Sequence, residues 1–289
     1  MKAIIGFVGT GVMGKSMAGR LLEADYPVHI YTRTASKAAD LLEKGAVWQN
    51  SVSELAEKVD IVITMVGFPR DVEELYFGAG GIIENASNEA ILIDMTTSSP
   101  ALAQKIACEA EKHGLHSIDA PVSGGDIGAR NGNLTIMIGG ENKIVERMTP
   151  VFQVMGQNYI RQGESGAGQY TKMCNQIAIA STMIGVTEAL VYAEKAGLNP
   201  DTVLESISGG AAGSWSLSNL TPRVIKRDFS PGFFIKHFIK DMSIALESAE
   251  EMELELPGLK LAKEMYEKLA EKGDEDAGTQ ALYKYYNYN

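Results

Sequence analysis

Six residues near the start of the chain, Gly9-Thr10-Gly11-Val12-Met13-Gly14, follow directly on an apolar run over residues 3–8. That run has the length and composition of a buried strand, and residues 15–24 behind the glycines have the pattern of a helix. Strand, glycine turn and helix in this order force the chain to open as a βα unit. The same context turns a weak GxGxxG match into a dinucleotide site. Gly9 permits the tight turn, Gly11 lets backbone approach a pyrophosphate, and Gly14 lets the helix pack close to the strand. The free N–H groups and the dipole at the helix N-terminus then hold the phosphates. The whole stretch, Thr10, Val12 and Met13 included, is expected at a cofactor. The alternative is a glycine-rich turn with no ligand.

The second strand, residues 28–31, decides which dinucleotide. An NAD-binding chain usually ends this strand with Asp or Glu, which accepts from the ribose 2′-OH. Here the sequence runs Thr32-Arg33-Thr34-Ala35-Ser36-Lys37, and no acid stands between Asp25 and Asp40. Arg33 offers forked donors to a 2′-phosphate and a flat face to adenine. Thr34 and Lys37 add donors. The sequence thus favours NADP(H) over NAD(H), against the plainer reading of a solvated basic turn.

Alternation continues through the first half. Residues 61–66, 91–94, 117–119 and 135–139 are short β-rich runs, and helical stretches cover 36–44, 51–56, 72–76 and 100–113. This spacing implies βαβ units and a mostly parallel sheet. Near residue 163 the character changes. Ser165-Gly166-Ala167-Gly168 is a small-residue hinge, and residues 169–195 run without proline as one long helix, roughly 40 Å at 1.5 Å per residue. Its interior is apolar nearly all round, which predicts burial. The remainder shows helical periodicity only. The expected organisation is an α/β N-terminal Rossmann-type dinucleotide-binding domain, residues 1–163, plus an all-α C-terminal domain, residues 164–289, joined by a long helix.

Composition narrows the partners. The 289 residues include 26 basic and 37 acidic side chains, a formal net charge of −11. An acidic surface offers nothing to nucleic acid or to a membrane surface. No apolar stretch reads as long enough to span a bilayer. The chain opens on a strand with no signal-peptide pattern. Two cysteines, Cys108 and Cys174, suit a reducing cytoplasm without disulfides. The four histidines form no metal-ligand spacing with them, so no metal is expected.

Chemistry concentrates in a few places. Lys172 lies one turn into the long helix, with Asn175 and Gln176 three and four positions on, so the three share a face. A lysine on a buried face is costly unless paired or functional, and burial eases loss of its proton, as general acid–base chemistry requires. By itself the segment reads more readily as a lysine snorkelling near a helix start, with Asn175 making an ordinary interhelical hydrogen bond. Asp119-Ala120-Pro121-Val122-Ser123-Gly124-Gly125 follows a strand, at the sheet edge where open α/β folds bind ligands. Ser123 supplies a hydroxyl there, and Gly124 and Gly125 supply backbone N–H groups for a carboxylate; a purely structural turn is the other reading. Met65 and Val66 end one strand by the same logic. After the next, Thr96 lies within reach of a nicotinamide, while Thr97, Ser98 or Ser99 caps the helix that Pro100 starts. In the helical half, a loop over residues 209–215 carries Trp215, read as core. Tyr283, Tyr285, Tyr286 and Tyr288 form an aromatic tail, read as docking on a partner subunit or fraying.

Together these segments resemble the β-hydroxyacid dehydrogenases, a family that includes 3-hydroxyisobutyrate dehydrogenases and tartronate semialdehyde, succinic semialdehyde and glyoxylate reductases. The marks are Gly6 through Gly14, Asp119 through Gly125, Gly166 through Asn175, and Lys240-Asp241, and they span nearly the whole chain. The resemblance implies Lys172 as general acid/base, and Ser123, Gly124, Gly125 and Asn175 as substrate anchors. It places Thr96 and Lys240 beside the cofactor and matches Arg33 and Thr34 to NADP-binding members. It implies a small carboxylated aldehyde or hydroxy acid as substrate, held between the domains, and a homodimer or homotetramer. Two departures stand out: Val66-Gly67 replaces the common Leu-Pro, and Asn175-Gln176 replaces the common Asn-Asn. Imine reductases share the implied architecture but generally lack the matching lysine. A non-catalytic NADP-binding module on the same fold would also have lost it.

Overall fold

The computed structural model describes residues 2–287. By internal packing it divides into two compact units, residues up to Lys172 and residues from Met173 onward. The division falls inside the long helix, nine residues beyond the boundary at residue 163 expected from the sequence.

The first unit opens with β1 (Ile5–Val8), α1 (Val12–Glu23), β2 (Val28–Tyr31), α2 (Ala39–Glu43), β3 (Val47–Trp48), α3 (Val52–Ala56) and β4 (Ile61–Thr64). It continues with α4 (Pro69–Phe77), α5 (Ile82–Asn85), β5 (Ile91–Asp94), α6 (Pro100–Lys112), β6 (His116–Asp119) and β7 (Val122–Ser123). Then come α7 (Gly125–Asn131), β8 (Leu134–Gly140), α8 (Asn142–Met155), β9 (Gly156–Gly163) and the start of α9 (Ala167–Lys195). Among the described residues nine strands form one sheet, in the order β3-β2-β1-β4-β5-β6-β8-β7, with β9 on β8.

Strands β1, β4 and β5 are buried along their whole length, because the sheet is covered on both faces. Ile5, Phe7, Ile63 and Ile93 pack with α1 and α8 on one side. Val62, Leu92 and Val72 pack with α3 and α6 on the other. The first six strands pair in parallel, as the alternation predicted. β8 departs from the pattern: it runs antiparallel to β6 and β7 and parallel to β9. Register places Tyr31, Val8, Thr64, Asp94 and Asp119 in one row across the parallel strands. The loops that follow these residues therefore leave the sheet from a common carboxyl edge. The strand order reverses between β1 and β4, which is where a crevice opens in such sheets.

The second unit takes the rest of α9 with α10 (Pro200–Ser208), α11 (Trp215–Asn219), α12 (Thr221–Ile225), α13 (Ile235–Glu251) and α14 (Pro257–Glu271). A 3₁₀ segment, Thr279–Asn287, follows. Phe238, Met242, Leu259 and Tyr266 form its core with Met183 and Val186 of α9. The rings of Phe238 and Tyr266 meet edge-on at 5.1 Å.

Four sequence expectations change. α9 is not buried all round: Cys174, Ala178, Ser181, Gly185, Glu188 and Tyr192 form an exposed stripe at alternating steps of four and three, and Tyr192 is 75% exposed. Small residues keep the helix apolar in composition while covering little surface. For the same reason α9 is, by length and composition, apolar enough to cross a membrane, where the sequence reading found no such stretch. Trp215 is not core but 68% exposed, because the Ser214 hydroxyl caps α11 at Leu217 N and turns Ser216 and Leu217 inward instead. The aromatic tail does not fray over its described part. The Tyr283 hydroxyl donates to Glu194 and that of Tyr286 donates to Glu188, both on α9, at 2.5 and 2.9 Å. Tyr288 lies outside the described residues.

Candidate active site

The glycine turn lies at the strand-order reversal. Gly9 has φ +97°, and a Cβ there would sit 2.3 Å from the Met65 carbonyl oxygen, so the first glycine is required where the β1 and β4 loops touch. A Cβ on Gly14 would lie 1.9 Å from the Gly9 carbonyl oxygen, which fixes the third glycine by close helix–strand approach. A Cβ on Gly11, the N-cap of α1, would meet nothing within 4 Å. The backbone there faces open space, next to an exposed Val12.

The residues present fit a dinucleotide. No acidic side chain stands in the first turn of α1. The Thr10 hydroxyl is buried and has no hydrogen-bond partner among the described residues. After β2, Thr34 heads a 3₁₀ turn over Ala35–Ala38 without using its side chain as a cap, and Lys37 is exposed. Arg33 is 79% exposed, with Nη1 3.4 Å from Asp71 Oδ1. Asp71 is a neighbour that the local sequence did not reveal. It is held in place by accepting from Phe68 N at 3.1 Å.

The β4 and β5 loops are bound to each other. Val66 N donates to Thr96 Oγ1 at 3.0 Å, and Thr96 N donates to Asp94 Oδ1 at 3.1 Å. Asp94 also accepts from Thr64 Oγ1 at 2.8 Å, and Thr64 in turn meets the Tyr76 hydroxyl at 3.2 Å. Burial raises the Asp94 carboxyl to about 6, against the pull of these donors and with a further push from Asp119. Burial likewise lifts the Tyr76 hydroxyl well above its usual range. Of the three hydroxyls offered as caps for α6, Ser99 is the one, accepting from Leu102 N at 3.1 Å.

Asp119 ends β6 as a buried carboxylate. Its oxygens accept from Gly166 N at 2.7 Å and Gln169 N at 2.9 Å, at the N-terminus of α9. Burial raises its carboxyl above the ordinary value while these N–H groups hold it down. Ser123, Gly124 and Gly125 follow consecutively, Ser123 closing β7 and the glycines opening α7 with φ +127° and +63°. Lys172 is buried at 6% exposure, which rules out a side chain snorkelling into solvent.

In the second unit, Asn175 and Lys240 are joined by a polar chain. Asn175 Nδ2 donates to Gln176 Oε1 at 2.7 Å, Gln176 Nε2 donates to Asp241 Oδ2 at 2.6 Å, and Lys240 Nζ pairs with Asp241 Oδ1 at 2.9 Å. Gln176 and Asp241 are buried. Gln176 is the link that reaches Asp241. Among the described residues no three His, Cys, Asp or Glu side chains gather as a metal site.

The chain matches two family descriptions in tandem. Residues 4–199 match the NAD binding domain of 6-phosphogluconate dehydrogenase, and residues 166–286 match the NAD-binding domain of NADP-dependent 3-hydroxyisobutyrate dehydrogenase. It is 60% identical to the uncharacterized oxidoreductase YkwC of Bacillus subtilis, over 98% of this chain and 99% of that one. It is 38% identical to the 2-hydroxy-3-oxopropionate reductase of Escherichia coli, over 96% of each. The solved 3-hydroxyisobutyrate dehydrogenase of Mycobacterium tuberculosis with L-serine superposes with a TM-score of 0.90 at 30% identity, covering 98% of this chain and 99% of that one. The chain belongs to the 3-hydroxyisobutyrate dehydrogenase-like β-hydroxyacid dehydrogenases. As a β-hydroxyacid dehydrogenase-like protein it is an NAD(P)-dependent oxidoreductase.

Two groups in this β-hydroxyacid dehydrogenase-like chain escaped the sequence reading. Asp94 had a signal: an acid closing the apolar strand Ile91-Leu92-Ile93. Gln169 had a fainter one, an amide in the first turn of a long, largely apolar helix.

Proposed function

We propose that the chain is an NADP(H)-preferring reductase of a short carboxylated aldehyde, reversible to the hydroxy acid. The observation that carries this reading is the buried Lys172 on α9. A buried ammonium is costly unless it is paired or serves chemistry.

A nicotinamide cofactor, when bound, would supply or take up the hydride at the carbonyl carbon. In the direction of reduction, Lys172 Nζ donates a proton to the carbonyl oxygen as negative charge builds there, and its own charge stabilises that oxygen. In the reverse direction the neutral amine takes the hydroxyl proton. Ser123 and the backbone N–H groups of Gly124 and Gly125 hold the substrate carboxylate, with Asn175 as a further anchor. Residues 9–14 would hold the pyrophosphate, Met65, Val66 and Thr96 would flank the nicotinamide, and Lys240 would be a further cofactor contact. Arg33, Thr34 and Lys37 hold a 2′-phosphate. The 79% exposure of Arg33 supports this role, because its guanidinium has freedom to turn toward an anion.

The names of two relatives support the substrate class. 2-Hydroxy-3-oxopropionate is an aldehyde that carries a carboxylate, and 3-hydroxyisobutyrate is a hydroxy acid. We also propose a homo-oligomer, on the exposed stripe of α9; the mass measured by light scattering decides it.

The test is oxidation of NADPH and of NADH with glyoxylate, with succinic, tartronate and methylmalonate semialdehydes, and with sulfolactaldehyde. Turnover of at least one aldehyde with NADPH preferred is expected. No turnover with any would sink the substrate class, and a higher kcat/KM with NADH would sink the cofactor preference.

A further inference from the structure

In the sequence, Ser165-Gly166-Ala167-Gly168 reads as a small-residue hinge or helix entry and Gln169 as the start of the long helix. The structure gives it a tighter function. Gly168 lies so close to the sheet that a Cβ would fall 2.4 Å from the Met137 carbonyl oxygen and 2.6 Å from that of Asp119. This approach brings Gln169, which is fully buried, against the loop after β5. Gln169 Oε1 accepts from Ser98 N at 3.0 Å, and Nε2 donates to the Thr96 carbonyl oxygen at 2.8 Å. A flipped amide would set oxygen against oxygen and N–H against N–H, so the pair of bonds fixes its orientation.

The first turn of α9 is thus fastened at two points. Its backbone is held by Asp119, and its Gln169 side chain is held by the Thr96–Ser98 loop. Lys172 is three residues beyond Gln169, one turn along the same helix. Thr96 is itself fixed on three sides: by Asp94 through its N–H, by Val66 through its hydroxyl, and by Gln169 through its carbonyl.

We propose that Gln169 is a positioning residue whose amide clamps the Thr96–Ser98 loop to the first turn of α9 and so sets Lys172 against Thr96. The inference rests on the reading of Lys172 as proton donor and Thr96 as a neighbour of the nicotinamide. A misplacement near 1 Å costs on the order of 100-fold in rate, so a clamp of two hydrogen bonds is enough to matter.

The test compares Gln169→Met, which keeps the length and loses both bonds, with Gln169→Glu, which keeps the acceptor for Ser98 N. Two readouts are taken well below the melting temperature. One is hydrogen exchange of the Ser98 amide in the protein without cofactor. The other is kcat, KM and the cofactor Kd. In Gln169→Met, Ser98 exchange should quicken at least ~10-fold and kcat should fall at least ~10-fold, with Kd within about threefold of wild type. Gln169→Glu, whose ionised carboxylate sets a second oxygen against the Thr96 carbonyl oxygen, should lose at least as much kcat as Gln169→Met. Melting temperatures lowered in both variants with kcat unchanged would mean that the amide only satisfies buried backbone groups, and would overturn the proposal. Should Gln169→Met not fold, wild type still decides: a Ser98 amide that exchanges as in an unstructured chain removes the clamp. If wild type reduces no aldehyde, the functional reading fails, while Ser98 exchange still reports on the clamp.

Discussion

Asp94 and Asp119 lie opposite each other in register at the ends of two neighbouring parallel strands, both buried, each facing backbone N–H groups of a different segment. Asp94 fastens the loop that carries Thr96. Asp119 fastens the helix that carries Lys172. The sheet edge thereby acts as a common base for the two residues proposed to flank the reacting atoms.

Asp94 makes stability depend on pH. Its folded carboxyl titrates at about 6, above the ordinary value of 3.8, so the folded chain holds this proton longer than the unfolded one. The contribution is complete below about pH 4 and is lost as pH rises through about 6, with a ceiling on the order of 3 kcal/mol. Asp94→Asn keeps an oxygen for Thr64 and Thr96 and removes the titration. In urea unfolding, the variant should gain on wild type between pH 4 and pH 7 and hold a constant difference above. A difference independent of pH would contradict the assignment.

Lys172→Ala should cut kcat by at least ~100-fold, the scale of general acid catalysis. NADPH binding, followed by the change in its fluorescence, should stay within a few-fold of wild type. Normal turnover in this variant would remove Lys172 from the chemistry.

Arg33→Ala should lower kcat/KM for NADPH on the order of tenfold, the loss of one charge-assisted contact to phosphate, and leave NADH nearly unchanged. The same substitution also frees Asp71 from its 3.4 Å partner. Equal losses for the two cofactors would show that Arg33 does not read the 2′ position.

Gly168→Ala should destabilise the chain by about 2–4 kcal/mol, because the new Cβ meets fixed backbone oxygens of β8 and β6 rather than a yielding side chain. Thermal unfolding measures it. A melting temperature equal to wild type would mean that α9 has room to withdraw from the sheet.

Much of the architecture was legible because it is written locally. The glycine spacing behind β1, the alternating strands and helices, and the unbroken run of α9 are patterns over ten to thirty residues. What escaped notice lacked a local pattern. β9, Gly156–Gly163, is largely polar and half-exposed, and gains its strand character by pairing with β8. α8 carries Pro150 in its interior, which argues against a helix unless burial of Ile144, Met148 and Phe152 outweighs it. Trp215 reads as core of a domain-packing loop, yet a serine cap decides which way its helix faces.

By itself, the sequence determined the nucleotide-binding half, the helical half and the residue types proposed to carry the chemistry, since periodicity and glycine sterics act between near neighbours. Only the tertiary structure decided which polar groups are buried and what they hold. Gln169 meets Ser98 and Thr96 across 71 and 73 residues of chain, and Asp119 meets Gly166 across 47. Such partners are set by how the sheet orders its strands, and desolvation, which raises Asp94, exists only once the strands are assembled.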